Sequence, residues 1–292
     1  MLQTRIITAV VLLAILLPAL FYPLPLVFNV VAWVLIGAAA WEWGKLNGSG
    51  QAASLLIAAC ALFICAFAWF LGLSDVLTRS LWIAVGAAWV LGGGWLLARG
   101  PAGWSRIPKI IRLIVGVLAL CAAWLALAQA RQRGIEFLLS VLLLVWVADI
   151  GAYFAGRKFG GRFTRGKLAA SISPGKTWEG VWGAMLSVVI MAFSWALLSV
   201  YVRAPLGGAA ANSPIGDSLY ALLLSHHGVI FLLLAVVFLV AMSVVGDLVE
   251  SLVKRASGAK DSSNLLPGHG GVLDRVDALL PALPLAMMLA SV

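Results

Sequence analysis

The sequence predicts an all-α, polytopic integral membrane protein with about nine transmembrane helices, and its composition and hydrophobic pattern indicate this class. Hydrophobic residues make up 63% of the 292 residues and charged residues only 11%, against about 25% charged in ordinary soluble domains. A mean hydropathy of +1.07 would leave large apolar patches facing water in a soluble fold of this size. The 13 Trp and 12 Phe residues exclude intrinsic disorder.

Apolar segments recur along the chain at the length that a membrane requires, about 20 residues for a core about 30 Å thick. We expect helices at 5–22, 26–43, 52–72, 80–98, 111–129, 136–156, 178–201, 228–249 and 274–292. The first segment has a cleaved signal peptide as its alternative, because Arg5 precedes it. No small-x-small cleavage site follows and prolines crowd its end, so we interpret it as a helix.

The basic residues are distributed unevenly between the two sides that these helices define. Only four of the 20 Lys and Arg residues fall on one side, and these are Arg79, Arg131, Arg133 and Arg203. The other sixteen share the side of the N-terminus, which the positive-inside rule makes cytoplasmic. Orientation therefore explains much of the net charge of +9, and no nucleic-acid partner is expected.

The polar residues divide the chain into two parts. Residues 1–135 have short loops and are expected to form scaffold helices, with dimerisation as an open role. Residues 136–292 hold two long cytoplasmic loops, 157–177 and 250–275, and we expect the chemistry there. Buried packing is the expected role of the three cysteines, Cys60, Cys65 and Cys121, because they lie in apolar runs without metal-site spacing.

Loop 157–177 contains two near-matches to a phosphate-binding loop, and each misses one required residue. Such a loop also follows a buried strand, so we reject a nucleotide-hydrolase interpretation. Glycine-freed backbone N–H groups beside lysines and hydroxyls still suit a polyanion. The alternative is a solvated loop that only satisfies the positive-inside rule. The candidate ligands are Lys167, Ser173, Lys176 and Thr177.

Loop 250–275 follows a helix end with polar residues on one face. Asp247, Glu250, Ser251 and Lys254 have the spacing of one helix face. A carboxylate inside an apolar run is costly and suggests function, although an ion pair between Asp247 and Lys254 is the structural alternative. Asp274 and Asp277 open the next predicted helix, where they could also complement its dipole.

Carboxylates from neighbouring helix ends, with cations and glycines between them, are what a magnesium-nucleotide site needs. His269 is the one histidine on the predicted cytoplasmic side. Its possible roles are a general base, a hydrogen-bond donor to phosphate, or an ordinary loop residue.

The stretch from Ser251 to Asp277, SLVKRASGAKDSSNLLPGHGGVLDRVD, resembles the signature of the phosphatidate cytidylyltransferases. The stretch from Asp149 to SISPGKTWEG is also similar to that family. The resemblance covers about residues 145–280. The signature positions that match include Ser251, Lys254, Arg255, Lys260, Asp261, His269, Gly270, Gly271, Asp274, Arg275 and Asp277.

The resemblance implies that CTP and phosphatidate react to give CDP-diacylglycerol and pyrophosphate. It implies a Mg²⁺ on Asp247 and Asp274, with a second ion such as K⁺ as an option. We place the catalytic residue Asp277 either as an additional ligand or behind the ligands. Lys254, Arg255, Lys260 and Arg275 would contact CTP phosphates. Lys167, Ser173, Lys176 and Thr177 would contact one of the substrates, with the lipid phosphate as our assignment.

The expected location is the cell inner membrane, with the site facing the cytoplasm among membrane lipids. Other phospholipid or polyprenyl-phosphate transferases are one alternative, although the DGxxAR pattern of the CDP-alcohol enzymes is absent. An ion-coupled transporter is the alternative from a different class. Its polar residues should lie at the bilayer midplane within inverted repeats, and neither feature is found in the sequence.

Overall fold

The computed structural model describes residues 2–72, 75–164, 166–203 and 217–291, and long apolar helices dominate it. Eight helices within these ranges are long and apolar enough to cross a membrane. The helices before the first polar loop are α1 (Leu2–Phe21), α2 (Pro25–Leu46), α3 (Gln51–Phe70), α4 (Asp75–Ala87), α5 (Gly94–Arg106), α6 (Lys109–Arg133) and α7 (Ile135–Phe159). The later helices are α8 (Trp178–Arg203), α9 (Leu219–Ala256), α10 (Leu273–Val276) and α11 (Leu279–Leu289).

The first eight predicted spans correspond to these helices, with two differences in length. The fourth predicted span, 80–98, belongs to a longer unit in which α4 and α5 flank a π-helical turn, Ala88–Gly93. The eighth, 228–249, is part of α9, which continues to Ala256 and carries a break at Gly228, where φ is 80°. A glycine readily adopts that left-handed conformation.

The ninth predicted span, 274–292, forms no single helix of membrane length. It contains the short helix α10 and the 11-residue helix α11, which at 1.5 Å per residue is about 17 Å long. Nearly all of α11 is buried, against α9, α6 and α4. The segment is therefore apolar because it lies inside the bundle. The part of the chain that the structure describes holds eight membrane-length helices, against the expected nine.

Contacts between helix ends show how the chain alternates between the two ends of the bundle. At one end, the Thr8 hydroxyl of α1 donates to the Pro267 carbonyl at 2.8 Å. At the other end, Arg131 donates to the Leu20 carbonyl at 3.1 Å and Arg133 donates to the Ala290 carbonyl at 3.2 Å. The segment after α9 thus still runs from the first end to the second. Both predicted polar loops lie at the first end, which we call the loop end.

The basic residues follow the predicted division between the two ends where the structure describes them. Arg131 and Arg133 lie at the end opposite the loop end. Arg165 and the side chain of Arg203 fall outside the described residues. The structure carries no membrane, so the cytoplasmic position of the N-terminus stays a prediction.

Loop 157–177 is not entirely irregular, because it contains the only two strands of the described residues. Strand β1 (Lys167–Ala169) pairs antiparallel with β2 (Ser173–Thr177), and Lys167 lies opposite Thr177. The hairpin leads directly into α8. Small residues let α8 approach α7 closely: a Cβ on Gly151 would lie 2.9 Å from the Gly183 carbonyl oxygen. This contact brings the hairpin against α7 and α9.

Candidate active site

A cavity of about 350 Å³ lies at the loop end, between α7, α8, α9 and the hairpin. That volume is within the range of small-molecule sites, about 300 to 1,000 Å³. Its polar lining comes from Asp149, Tyr153 and Arg157 on α7, Lys176 and Thr177 on β2, and Ser243 and Asp247 on α9. Apolar lining residues include Ala148, Ala152, Leu168, Val181 and Val244.

Lys176 and Asp247 form an ion pair across this cavity. The hairpin aims the ammonium group at the carboxylate, which also accepts a hydrogen bond from the Ser251 hydroxyl at 3.3 Å. The Asp247 side chain keeps 31% of its surface exposed. It therefore faces open space that a ligand can enter. The predicted alternative, an ion pair between Asp247 and Lys254, is not what forms.

Lys254 lies two helical turns further along α9 and pairs with different carboxylates. Its ammonium nitrogen is 2.6 Å from Asp274 and 2.5 Å from Glu250, and the Lys254 side chain is only 13% exposed. Lys254 therefore bridges two buried carboxyl groups. The arrangement joins the end of α9 to α10 and limits how far Lys254 can reach toward a nucleotide.

Asp274 accepts hydrogen bonds at both carboxylate oxygens. Besides the bond from Lys254, Oδ2 accepts from the Gly271 N–H at 2.7 Å, the Ser262 N–H at 2.9 Å and the Ser262 hydroxyl at 2.8 Å. Burial would raise the pKa of Asp274, but these hydrogen bonds outweigh it and lower the pKa to about 2. Asp274 is thus an ionised side chain that folds the loop around itself.

Glu42 holds the same loop from the opposite side, and the sequence analysis missed it. Its carboxylate is fully buried and accepts hydrogen bonds from the Val272 N–H at 3.0 Å and the Leu273 N–H at 2.7 Å. It also accepts from the hydroxyls of Ser262 and Ser263. A carboxylate within the apolar run of α2 was the available signal, because such residues are costly unless they serve a function.

Glu179 holds loop 157–177 in the way that Glu42 holds loop 250–275. This buried residue on α8 accepts from the backbone N–H groups of Phe163 and Thr164 at 3.1 and 2.9 Å, and from the Thr164 hydroxyl at 2.9 Å. The sequence analysis assigned it no role either. Each site loop is thus fixed to a membrane helix by one glutamate.

The other predicted site residues lie around the cavity or further away. Thr177 lines it and accepts from the Gly180 N–H at 3.1 Å. Arg255 donates to the Ile172 carbonyl at 3.2 Å and so joins α9 to the hairpin. Asp277 accepts from the Ala278 N–H at 2.7 Å and is packed against Gly246. Lys167 and Ser173 belong to the hairpin strands without lining the cavity.

The remaining signature residues belong to the loop that Asp274 and Glu42 hold. Gly270 has a φ of 82° and pairs with Leu266, and Gly271 has no space for a side chain beside Ser262. His269 does not line the cavity, and its Nδ1 is buried without a partner among the described residues. Its three possible roles stay open. Three other signature residues of this loop, Lys260, Asp261 and Arg275, are exposed to solvent.

Comparison with known proteins adds a second, independent line of observation. Residues 3–292 match the model of the cytidylyltransferase family. The chain belongs to this family. It is 38% identical to the phosphatidate cytidylyltransferase of Pseudomonas aeruginosa, over 97% of this chain and 95% of that one. The protein of that name from Haemophilus influenzae is 34% identical, over 97% and 96% of the two chains.

A third relative shows that the similarity extends through both halves. The phosphatidate cytidylyltransferase of Brucella suis is 36% identical over 100% of this chain and 94% of its own. The predicted family resemblance is therefore confirmed, although the sequence motifs covered only about residues 145–280. The membership makes the chain a nucleotidyltransferase. Its cavity offers an ammonium group, a guanidinium group, two carboxylates and hydroxyls for the alignment of anionic reactants.

Proposed function

We propose that the chain transfers the cytidylyl group of CTP to phosphatidate, giving CDP-diacylglycerol and pyrophosphate. The Lys176–Asp247 pair in a cavity bounded by three membrane helices carries this proposal. Phosphate groups of a nucleotide can enter at the loop end, while a lipid keeps its acyl chains beside apolar helix surfaces. The full-length similarity to proteins named phosphatidate cytidylyltransferase supports the same substrates.

The reaction requires alignment and charge neutralisation more than proton transfer. A phosphate oxygen of phosphatidate attacks the α-phosphorus of CTP, and the bond from that phosphorus to the bridging oxygen breaks as pyrophosphate leaves. The attacking phosphate is already ionised at neutral pH. Lys176 is placed to hold one of the two anions, and the buried loop contacts keep α9 and α10 fixed while the reactants align.

Mg²⁺ is the proposed cofactor, and the cavity residues fit it in part. Mg²⁺ takes one or two carboxylates together with phosphate oxygens and waters, which matches the open carboxylates of Asp247 and Asp149. Among the described residues, no group of three His, Cys, Asp or Glu side chains is arranged for a metal ion. The substrate phosphates would therefore complete the shell. Bound there, the ion would stabilise charge on the transferring phosphate.

Asp274 fits a metal less well than Asp247, because chain donors occupy its oxygens. A role as ligand requires that Lys254 or a loop N–H moves away. The predicted Mg²⁺ contact of Asp274 stays a prediction, and so does the accompanying K⁺.

A radiolabel assay tests the proposed reaction. Purified protein in detergent receives phosphatidate and CTP labelled either at the α- or at the γ-phosphate. We expect the α-label to enter the lipid extract and the γ-label to stay in water as pyrophosphate. Excess chelator should stop both the labelling of lipid and the release of pyrophosphate. Label that enters a polyprenyl phosphate but not phosphatidate would instead support the alternative transferase.

We also propose that the loop end faces the cytoplasm at the inner membrane, since most basic residues lie there. Single cysteines at the exposed residues Ser171 and Asn264, in a chain whose three cysteines are replaced, should react with a membrane-impermeant reagent only in inside-out vesicles. A cysteine at Gln132, at the opposite end, should react only in right-side-out vesicles. The reverse labelling would invert the proposed orientation.

A homodimer through the N-terminal helices remains a prediction, which cross-linking in native membranes tests.

A further inference from the structure

A second cavity, of about 290 Å³, lies at the loop end and belongs to none of the chemistry above. The residues that line it come from the ends of α2, α5, α6 and α9, and none of them lines the first cavity. These residues are Lys45, Leu46, Asn47, Gly48, Trp104, Arg112, Ala256 and Ser257. We call it the basic pocket.

The charged groups of the basic pocket are all cations. Lys45 and Arg112 line it, and no carboxylate is among its lining residues. The Nε of Arg112 is buried and has no hydrogen-bond partner within the described residues. Its guanidinium lies over the Trp104 ring, 5.9 Å from the centroid. A buried donor without a partner costs free energy, so this pocket is suited to an anion that accepts from Arg112.

The surroundings indicate an anion attached to a lipid. On the first turns of α6, next to Arg112, the apolar side chains of Ile110, Ile111 and Ile114 are 68%, 47% and 52% exposed. These residues belong to a helix of membrane length, so acyl chains would cover them. A phosphate that enters the basic pocket from the bilayer can keep its chains on this surface. A free anion has no use for that apolar surface.

We propose that the basic pocket binds the phosphodiester headgroup of an anionic phospholipid, separately from the substrate cavity. The pocket also contacts the active region indirectly. Ser257 lines it and donates to the Lys254 carbonyl at 2.9 Å, and Lys254 holds Asp274. A bound headgroup therefore rests on the same helical turn that fixes the signature loop. This inference goes beyond the proposed reaction and does not depend on it.

Native mass spectrometry of the purified chain tests the proposal. The protein is exchanged into detergent with equal amounts of phosphatidylglycerol and phosphatidylcholine, and the ratio of the two retained lipids is measured. We expect the wild type to prefer phosphatidylglycerol. Lys45→Gln should reduce the preference about fivefold and Lys45→Gln with Arg112→Gln about 25-fold, since each cation near an anionic lipid contributes about one such factor.

Two controls separate the basic pocket from other basic sites. Arg106→Gln and Arg162→Gln each remove an exposed charge at the same end without lining either cavity. Both should keep the wild-type preference. Lys45 is exposed, so its variant is informative even if the double variant fails a thermal-melt check.

Three results would overturn the proposal. The first is a wild type without preference for phosphatidylglycerol. The second is a preference that survives Lys45→Gln but disappears in Arg106→Gln or Arg162→Gln. The third is displacement of the lipid by inorganic phosphate at equal concentration, which would make the pocket a site for free phosphate.

Discussion

Asp247 and Asp274 are both paired with a lysine of the loop end, yet their surroundings differ. The Asp247 side chain is 31% exposed and faces a cavity, and its partners among the described residues are Lys176 and the Ser251 hydroxyl. Asp274 is 6% exposed and accepts from Lys254 and three further donors of its own loop. The same residue type thus serves a ligand at one position and the fold at the other.

The two glutamates resemble Asp274 in this respect. Glu42 and Glu179 are buried and accept from backbone N–H groups and hydroxyls of one loop each. Hydrogen bonds from backbone N–H groups to a carboxylate are strong because the acceptor is charged. We conclude that three carboxylates shape the loops, while Asp247 and Asp149 remain available to react with what enters the cavity.

Replacement of Asp247 should have the largest effect on the rate. Asp247→Asn removes the charge in the cavity without disturbing a buried network, so we expect turnover to fall about 1000-fold or more at an unchanged melting temperature. Asp274→Asn breaks a buried ion pair and should also lower the free energy of unfolding, by about 3 kcal/mol. Radiolabel assays and thermal melts measure both. An unstable Asp247→Asn beside a stable Asp274→Asn would reverse the assigned roles.

Lys176 should follow, because it is the cation that pairs with Asp247 in the cavity. Lys176→Ala should lower kcat/KM by about 30- to 1000-fold, as expected for a lost contact to phosphate charge. Lys260 is exposed, so Lys260→Ala should cost less than about tenfold, and the control Arg106→Ala less than about threefold, since their charges are screened. Equal losses in all three variants would mean that general surface charge controls substrate capture.

Glu42→Gln distinguishes a loop anchor from an ordinary buried carboxylate. The NH₂ group of the new amide would face backbone N–H donors, from which it cannot accept a hydrogen bond. We therefore expect a loss of about 2 kcal/mol in unfolding free energy and a clearly reduced rate per folded molecule. The matched control is Glu136→Gln at the opposite end, where the carboxylate accepts from Trp195 and Ser199. It should lower stability without a change in the rate. A slowed Glu136→Gln would contradict the special role of Glu42.

The smallest effect is expected at Ser251. Its hydroxyl donates to Asp247 at 3.3 Å, and Ser251→Ala should lower kcat by about two- to fivefold, as for one weak neutral donor. Ser225→Ala, which removes a hydroxyl bonded only within α9 near its start, should leave kcat unchanged. A larger loss at Ser251 than at Lys176 would show that the hydroxyl contacts substrate directly.

The membrane helices and the two polar loops at the loop end could be predicted from the sequence, because both depend on local composition. Membrane helices require long apolar runs, and the polar face from Asp247 to Lys254 follows from helix periodicity. The final segment was predicted too long, since a helix buried among other helices is as apolar as one in lipid. The two prolines of α11, Pro281 and Pro284, were a signal that the helix is irregular.

The pairing of charges could not be predicted from spacing along one helix. Lys254 lies on the same face as Asp247, yet it binds Asp274, while Asp247 takes Lys176 from a hairpin 71 residues earlier. Such choices depend on how α7, α8 and α9 pack, which the glycines between α7 and α8 determine. Glu42 was missed for the same reason, because its partners lie more than 200 residues away.

The long separation between Glu42 and its loop has a consequence for biosynthesis. Val272 and Leu273, which satisfy its carboxylate, emerge 230 and 231 residues later, which at ribosomal speed means roughly 10 to 50 s. During this interval α2 is already made while its acid lacks its native donors. A newly inserted α2 therefore needs other donors for the Glu42 carboxylate, which water at the membrane boundary can supply. Premature termination before residue 272 would leave a chain with inserted helices and a Glu42 carboxylate that lacks these loop donors.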